Sequence, residues 1–188
     1  MNDAIDISKV VLQTPRLILR FWREDDLLDF NEYASVDGVG EAAGWKHHES
    51  LKESEGILRT FINEKNIFAI EYRENKKVIG SLGLHDIKDV AGLKNIAARE
   101  IGYALSKDYW GKGLMNEAVK CVIEFCFDVL QLDALTVGHF LENVRSKRVI
   151  EKCGFEFMFY KEFFAPTLNK TFTEAYYVKH NTRMSLKN

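Results

Sequence analysis

The spacing of hydrophobic residues in the first half of the chain predicts a strand, two helices and a strand hairpin. Residues 16–21 alternate between polar and apolar side chains, as a half-buried strand does. Residues 25–33 carry apolar side chains at helical spacing behind acidic residues, which favour a helix N-terminus, and residues 51–66 repeat that spacing. Residues 67–72 and 78–87 flank a polar turn, which is typical of two hairpin strands.

The second half of the chain alternates between strands and helices. Its predicted elements are strands over residues 99–105, 134–141, 155–160 and 172–178, and helices over residues 114–130 and 143–153. An early meander followed by a strand–helix–strand run implies a mixed sheet with helices on both faces, an α+β (mixed α/β) fold. Because no linker, repeat or low-complexity segment divides the chain, we expect a single domain over residues 1–188.

The composition mainly excludes classes of partner. The formal net charge is −2, with 46% apolar and 29% charged residues. Proteins that bind nucleic acid or membrane surfaces usually carry a basic stripe or a polybasic block. This chain is slightly acidic and has no polybasic block, so we expect neither partner. The N-terminus lacks the pattern of a signal peptide, and no window approaches the roughly 18 consecutive apolar residues of a membrane span. Three cysteines without Cys-x-x-Cys spacing are typical of reduced core thiols, so we expect a cytoplasmic protein.

A glycine-containing turn precedes the most amphipathic predicted helix. Residues 100–114 form a strand, a short loop with Gly111 and Gly113, and the helix start. The backbone N–H groups of such a turn converge with those of the helix N-terminus, which suits a phosphate or pyrophosphate. From these residues alone, a simple tight turn remains an alternative. The loop lacks the Gly-Lys-Ser/Thr of a Walker loop and the third glycine of a dinucleotide fingerprint.

A second motif opens the next predicted helix. Residues 143–155 begin with Asn-Val-Arg-Ser and end with Glu-Lys-Cys-Gly-Phe. Together with Tyr-Trp-Gly-Lys-Gly at residues 109–113 and Thr-Pro-Arg-Leu-Ile-Leu-Arg at residues 14–20, this motif resembles the GNAT acetyltransferases. The resemblance is to their ribosomal-protein N-terminal acetyltransferase (RimJ/RimL-like) branch, and it spans nearly the whole chain.

The resemblance implies the GNAT acyl-CoA acyltransferase fold, with a sheet of six to seven strands. Its fourth and fifth strands, here residues 99–105 and 134–141, would splay apart around the pantetheine arm of acetyl-coenzyme A. The pyrophosphate would rest on backbone amides of the glycine turn. The residues that the resemblance assigns to this co-substrate are Ile101, Gly102, Tyr103, Ala104, Leu105, Trp110, Gly111, Lys112, Gly113, Leu114, Met115, Asn143 and Ser146. Asn143 would bond the pantetheine arm through its side-chain amide, although a simple helix cap also accounts for this residue.

Three residues are candidates for the catalytic chemistry. Glu100 is the first candidate for the base that deprotonates the amine, because its counterpart often has this role in the superfamily; a plain surface glutamate is the alternative. His85, at the end of the preceding strand, is the second candidate because histidine titrates near neutral pH. The alternative is a half-exposed polar residue without a catalytic role, as a lone histidine at a strand end usually is. For the leaving thiolate, many relatives use a tyrosine where this chain has Ile150, and the Rim-type resemblance favours Ser146. Direct attack without an acetyl-enzyme is expected.

We expect no metal, because the histidine cluster at residues 47–49 has no second ligand pair at zinc spacing.

Three functions remain open: N-acetylation of a protein N-terminal amine, N-acetylation of a small amine, and a catalytically silent acetyl-CoA-binding module. Glu100 and Ser146 favour the enzymes. In this fold, acceptor choice lies in the segments around residues 35–50 and 161–171, both predicted here as loops. Aromatic residues in the second segment would permit a homodimer as well as a monomer.

Overall fold

The computed structural model describes residues 4–87, 90, 92–93 and 95–182. Within these ranges the chain forms one sheet of eight strands, namely β1 Val11–Gln13, β2 Leu17–Arg20, β3 Ile67–Tyr72, β4 Val78–Asp86, β5 Ala98–Leu105, β6 Ala134–Phe140, β7 Glu156–Ala165 and β8 Lys170–His180. The same ranges contain four α-helices, namely α1 Leu27–Ala34, α2 Leu51–Glu64, α3 Leu114–Asp128 and α4 Val144–Lys152. The predicted domain limits, residues 1 and 188, lie outside the described ranges.

The sheet is mixed, as predicted. Its strand order is β1-β2-β3-β4-β5-β6-β8-β7. Neighbouring strands pair antiparallel except β5 and β6, which are parallel and are connected through α3. A parallel pair needs such a crossover, because its second strand must start again at the same end of the sheet. Among the described residues, no helix is long and apolar enough to cross a membrane.

Helices cover both faces of the sheet. On β3, Phe68 and Ile70 pack in the same core as α3, whereas Ile67 and Ala69 pack with α1 and α2. This alternation is the two-residue period of a strand, and a strand buried on both faces carries apolar side chains at every position. The prediction of helices on both faces is therefore confirmed, and each helix begins and ends within two residues of its predicted limits.

The central parallel strands separate part of the way along their length. The register of β5 and β6 runs from Ala98 opposite Ala134 to Ile101 opposite Val137. Both strands continue beyond this point, and within the described chain no ladder pair joins their last residues. The remainder of β5 pairs only with β4. The predicted splay thus begins after Ile101 and leaves one backbone edge of β5 open.

The sheet has one strand more than the six to seven expected. The extra strand, β1, spans three residues at the sheet edge and pairs with β2. Its residues are exposed or half-buried, and three positions are too few to establish an alternating pattern.

The prediction of a loop around residues 161–171 is wrong. Residues 161–165 continue β7, Pro166–Leu168 form a short 3-10 turn, and β8 begins at Lys170. Because β7 is an edge strand, its burial pattern is weak and it carries charged side chains among the aromatic ones. The hydrophobic alternation that identifies an interior strand is therefore faint here.

Candidate active site

The turn before α3 exposes backbone N–H groups. Gly111 and Gly113 have left-handed backbone, with φ of 76° and 75°, which glycine adopts without strain. Gly113 is the N-cap of α3, and no side chain caps this helix end. Since the first N–H groups of a helix have no partner inside it, this end can bind an anion.

Arg16, from the motif at residues 14–20, helps to fix this turn. Glu117, in the first turn of α3, accepts hydrogen bonds from the Arg16 backbone N–H at 2.9 Å and from Arg16 Nε at 2.7 Å. The Arg16 guanidinium also donates to the Lys112 carbonyl oxygen at 2.9 Å. The Trp110 indole N–H donates to the Leu105 carbonyl oxygen at 2.8 Å. The N–H groups of the turn are therefore held in position by Arg16, which directly precedes β2, by β5 and by α3.

A cavity of about 270 Å³, here called the first cavity, lies between this turn, the end of β5 and the start of α4. The predicted co-substrate residues that line it are Tyr103, Ala104, Leu105, Trp110, Gly111, Gly113, Leu114, Met115, Asn143 and Ser146. The two motifs, which are remote in sequence, thus form opposite walls of one cavity.

Three basic residues of α4 also line the first cavity, namely Arg145, Arg148 and Lys152. All three are exposed, and the Arg145 guanidinium stacks 3.8 Å from the centre of the Trp110 ring. Their cationic groups and the uncapped helix end suit a ligand that carries several phosphates. The sequence reasoning missed these residues, although spacings of three and four put them on one helix face.

The start of α4 links the polar groups of the cavity wall. Asn143 Oδ1 accepts a hydrogen bond from the Ser146 backbone N–H at 3.1 Å, and its Nδ2 donates to the Ala42 carbonyl oxygen at 3.0 Å. Asn143 is therefore a helix cap in this structure. Ser146 is buried, and its hydroxyl shares a hydrogen bond of 2.8 Å with the Tyr103 phenol. Burial raises the pKa of Tyr103, so this phenol keeps its proton at neutral pH.

A second cavity, of about 150 Å³, opens where β5 and β6 separate. It shares Ala43, Tyr103, Asn143 and Ser146 with the first cavity, so the two cavities meet at the splay. Its other lining residues are Glu100, Ile101, Gly102, Gly138, His139, Phe140, Phe163 and Glu174. Two carboxylates and several aromatic rings therefore surround a small space beside the open edge of β5.

Glu100 is oriented by a chain of hydroxyl groups. The Tyr176 phenol donates to Glu100 Oε2 at 2.5 Å, and the Tyr176 and Thr136 hydroxyls share a hydrogen bond of 2.9 Å. Burial, followed by the nearby Glu100 carboxylate, raises the pKa of Tyr176, so this phenol remains a donor at neutral pH. The carboxylate of Glu100 is thus fixed at the wall of the second cavity.

His85 lies beside the cavity and outside its lining. It is directly opposite Glu100 in the β4–β5 ladder, and its side chain is exposed. Its imidazole covers Gly102 closely, since a Cβ on that glycine would lie 3.2 Å from Nε2. The structure therefore brings Glu100 and Ser146 to one cavity and leaves His85 at its outer edge. Lys112, alone among the residues predicted to bind the co-substrate, lines neither of the two cavities.

The segment before α2 lies within residues 35–50, where acceptor choice is expected, and it supplies a further wall of the two cavities. A 3-10 turn, Glu41–Ala43, brings Ala43 to both cavities. Burial opposes ionisation of Glu41, yet hydrogen bonds from His47 and from the Gly38 backbone N–H outweigh it and lower the pKa of Glu41 to about 2. Glu41, His47 and Asp37 lie close enough to share an ion, but the hydrogen bonds already account for the positions of Glu41 and His47.

Comparisons with known proteins agree with this geometry. Residues 16–156 match the acetyltransferase (GNAT) domain family. The uncharacterized N-acetyltransferase YoaA of Bacillus subtilis (strain 168) is 30% identical over 151 residues, which cover 78% of this chain and 82% of YoaA. A GNAT-family acetyltransferase from Bacillus anthracis superposes with a TM-score of 0.79 at 21% identity, over 92% of this chain and 99% of that one. The ribosomal-protein-S5-alanine acetyltransferase from Vibrio fischeri superposes with a TM-score of 0.72 at 19% identity, over 92% of this chain and 97% of that one.

The family match includes the splayed strands, the glycine turn and α4. At their low identities the solved structures support the fold, and the family match supports the chemistry. Because the matched segment contains both walls of the first cavity, the chain belongs to the GNAT acetyltransferases and is an N-acetyltransferase that takes its acetyl group from acetyl-coenzyme A.

Proposed function

We propose that the chain transfers the acetyl group to the nitrogen of a small primary amine by direct attack. The observation that carries this proposal is the meeting of the two cavities at the splay, with Tyr103 and Ser146 in both linings. A thioester that enters through the first cavity along β5 has its carbonyl group at this junction. An amine in the second cavity is then next to the carbon that it must attack.

Glu100 accepts the proton of the amine in this proposal. A primary amine is mostly protonated at neutral pH and becomes a nucleophile only after it loses a proton. The Glu100 carboxylate lines the second cavity and is fixed by the Tyr176 phenol. The open backbone edge of β5 supplies hydrogen-bond donors for the carbonyl oxygen as negative charge develops on it.

Ser146 and Tyr103 serve the leaving thiolate. When the C–N bond forms and the C–S bond breaks, the sulfur needs a proton or a hydrogen bond. Both residues line both cavities, and a single hydrogen bond joins their hydroxyls. One of the two O–H groups therefore remains free to donate to the sulfur. This pair occupies the functional place of the tyrosine that many relatives have where this chain has Ile150, which is buried in the core.

The cysteines support direct attack over an acetyl-enzyme. Cys121, Cys126 and Cys153 are absent from the linings of the two cavities. Burial raises the pKa of Cys126 to about 12 and that of Cys153 to about 11, so neither thiol is a ready nucleophile.

The size of the second cavity favours a small amine over the N-terminus of a folded protein. Its volume of about 150 Å³ is bounded by Ala43 on one side and Phe163 on the other. A space of this size, lined by two carboxylates and several aromatic rings, accommodates an ammonium group with a short apolar chain. A protein N-terminus also brings its following residues, which need an open cleft.

The test is release of the coenzyme A thiol from acetyl-CoA, measured with butylamine, with an alanine-initiated peptide and with butanol as the control without an amine. We expect turnover with butylamine above that with the peptide, and none with butanol. Faster turnover of the peptide would replace the small-amine assignment by an N-terminal one. Acetyl-CoA binding without turnover of butylamine would overturn the small-amine assignment.

Replacing Ser146 with alanine should lower kcat about tenfold and leave the Kd for acetyl-CoA nearly unchanged, because Tyr103 retains one hydroxyl near the sulfur. The measurement is steady-state kinetics with butylamine, together with calorimetric titration of acetyl-CoA. Ser106→Ala is the control, since this serine precedes the turn and is absent from both linings. Equal activity of Ser146→Ala and wild type would return the proton-donor role to Tyr103 or to water.

A further inference from the structure

Glu174 reaches the second cavity because β6 carries a glycine beside it. Glu174 lies on β8, opposite Phe140 of β6, and its side chain extends over Gly138. A Cβ at Gly138 would overlap the Glu174 carboxylate. An isolated glycine inside a strand often marks the close approach of another group, and here that group is a carboxylate.

The charges around Glu174 leave an excess of negative charge in the second cavity. The Glu174 side chain is 10% exposed, and Lys161 Nζ on β7 lies 3.2 Å from its Oε2. Burial raises the pKa of Glu174, and Glu100 on β5 acts in the same direction while Lys161 opposes it. Two carboxylates therefore face one ammonium group. The His139 ring also lines this cavity, and its Nδ1 lies 2.8 Å from the Phe140 carbonyl oxygen while its Nε2 lies 3.3 Å from the Tyr177 hydroxyl.

We propose that Glu174 is a specificity-determining residue that, together with Glu100, binds the acceptor amine in its ammonium form. This inference rests on the proposed function and deepens it by naming the acceptor class. With both carboxylates ionised, Lys161 neutralises one of them, and the remaining negative charge matches a single substrate ammonium group. Glu100 then removes a proton from this group, while Glu174 holds the nitrogen in the second cavity.

The acceptor class that follows is a compact primary amine without a carboxylate next to its nitrogen. An α-amino acid has the same ammonium group, but its own carboxylate would lie against Glu100 and Glu174. Butylamine and norvaline form a matched pair, because norvaline is butylamine with a carboxylate on the carbon that bears the nitrogen. The wild-type protein should therefore prefer butylamine to norvaline in kcat/KM.

The test compares Glu174→Gln, Gly138→Ala and wild type in the acetylation of these two amines. Loss of a hydrogen bond to a charged group should raise the KM of Glu174→Gln for butylamine roughly 10- to 150-fold. The Kd for acetyl-CoA should not change, and the preference for butylamine over norvaline should shrink by a similar factor. Gly138→Ala should have the same effect, because its Cβ displaces the carboxylate.

Glu162→Gln is the matched control, since Glu162 is an exposed glutamate of β7 that accepts a hydrogen bond from the Thr173 hydroxyl and lines neither cavity. Its KM should equal that of wild type. An unchanged KM and an unchanged amine preference in Glu174→Gln, with thermal unfolding like that of wild type, would overturn the role of Glu174 and leave the acetyltransferase proposal intact. Lack of turnover of every amine by wild type would instead end the proposed function, and this inference with it.

Discussion

Replacing Glu100 with glutamine should lower kcat for butylamine by about 10²- to 10⁴-fold, the usual contribution of a positioned general base. Glutamine has nearly the same shape and can still accept a hydrogen bond from the Tyr176 phenol, but it cannot take the proton of the amine. The Kd for acetyl-CoA should stay unchanged, because Glu100 lines only the second cavity. Kinetics of thiol release and calorimetric titration of acetyl-CoA measure the two quantities separately.

His85 is the direct competitor for this role, so His85→Gln is the companion variant. The two residues are ladder partners on β4 and β5, but the histidine is exposed and outside the cavity lining. We expect His85→Gln to keep kcat within about threefold of wild type, since proton transfer requires hydrogen-bond reach of the amine. A large loss in His85→Gln, combined with a small one in Glu100→Gln, would assign the base to the histidine.

Local patterns predict the fold where neighbouring residues decide it. The apolar face of α3 and the polar turn between β3 and β4 are visible in the sequence, and both are present in the structure. The continuation of β7 beyond Tyr160 is different, because this edge strand pairs on one side with β8 and its side chains stay partly exposed. Its extent depends on the partner strand, which the sequence pattern of β7 does not record.

The two motifs predict the first cavity because each is a continuous segment with its own local geometry. The second cavity also takes in residues that neither motif contains and that meet only in the folded chain. Glu174 reaches it through the β6–β8 register, and Ala43 reaches it through a turn built around Glu41. One signal was available: Gly138 lies in the interior of the predicted strand over residues 134–141, and an interior strand glycine indicates a close approach at that point. The residue that approaches it cannot be identified without the strand pairing.

Replacing Gly111 with valine should abolish the stabilisation of the fold by acetyl-CoA. For wild type, a ligand at a hundredfold excess over its Kd adds about 2.7 kcal/mol, which corresponds to a Tm rise of roughly 5–10 °C for a chain of this length. Gly111 has a φ of 76°, which a β-branched residue adopts only with strain, so the turn must change shape. A Cβ there has no atom within 4 Å in the free protein, so folding persists, but it would stand where the phosphates approach.

The control for backbone strain is Gly92→Val, because Gly92 has a comparable φ of 86° and a Cβ there also has no atom within 4 Å. Both variants should unfold at a lower temperature than wild type without ligand, since both carry the same kind of strain. Only Gly92→Val, whose site lies outside both cavities, should show the same rise in Tm as wild type when acetyl-CoA is added. A full rise in Gly111→Val as well would mean that the phosphates bind away from the α3 turn. The cationic side chains of α4, with Arg145 stacked on Trp110, would then be the site to test.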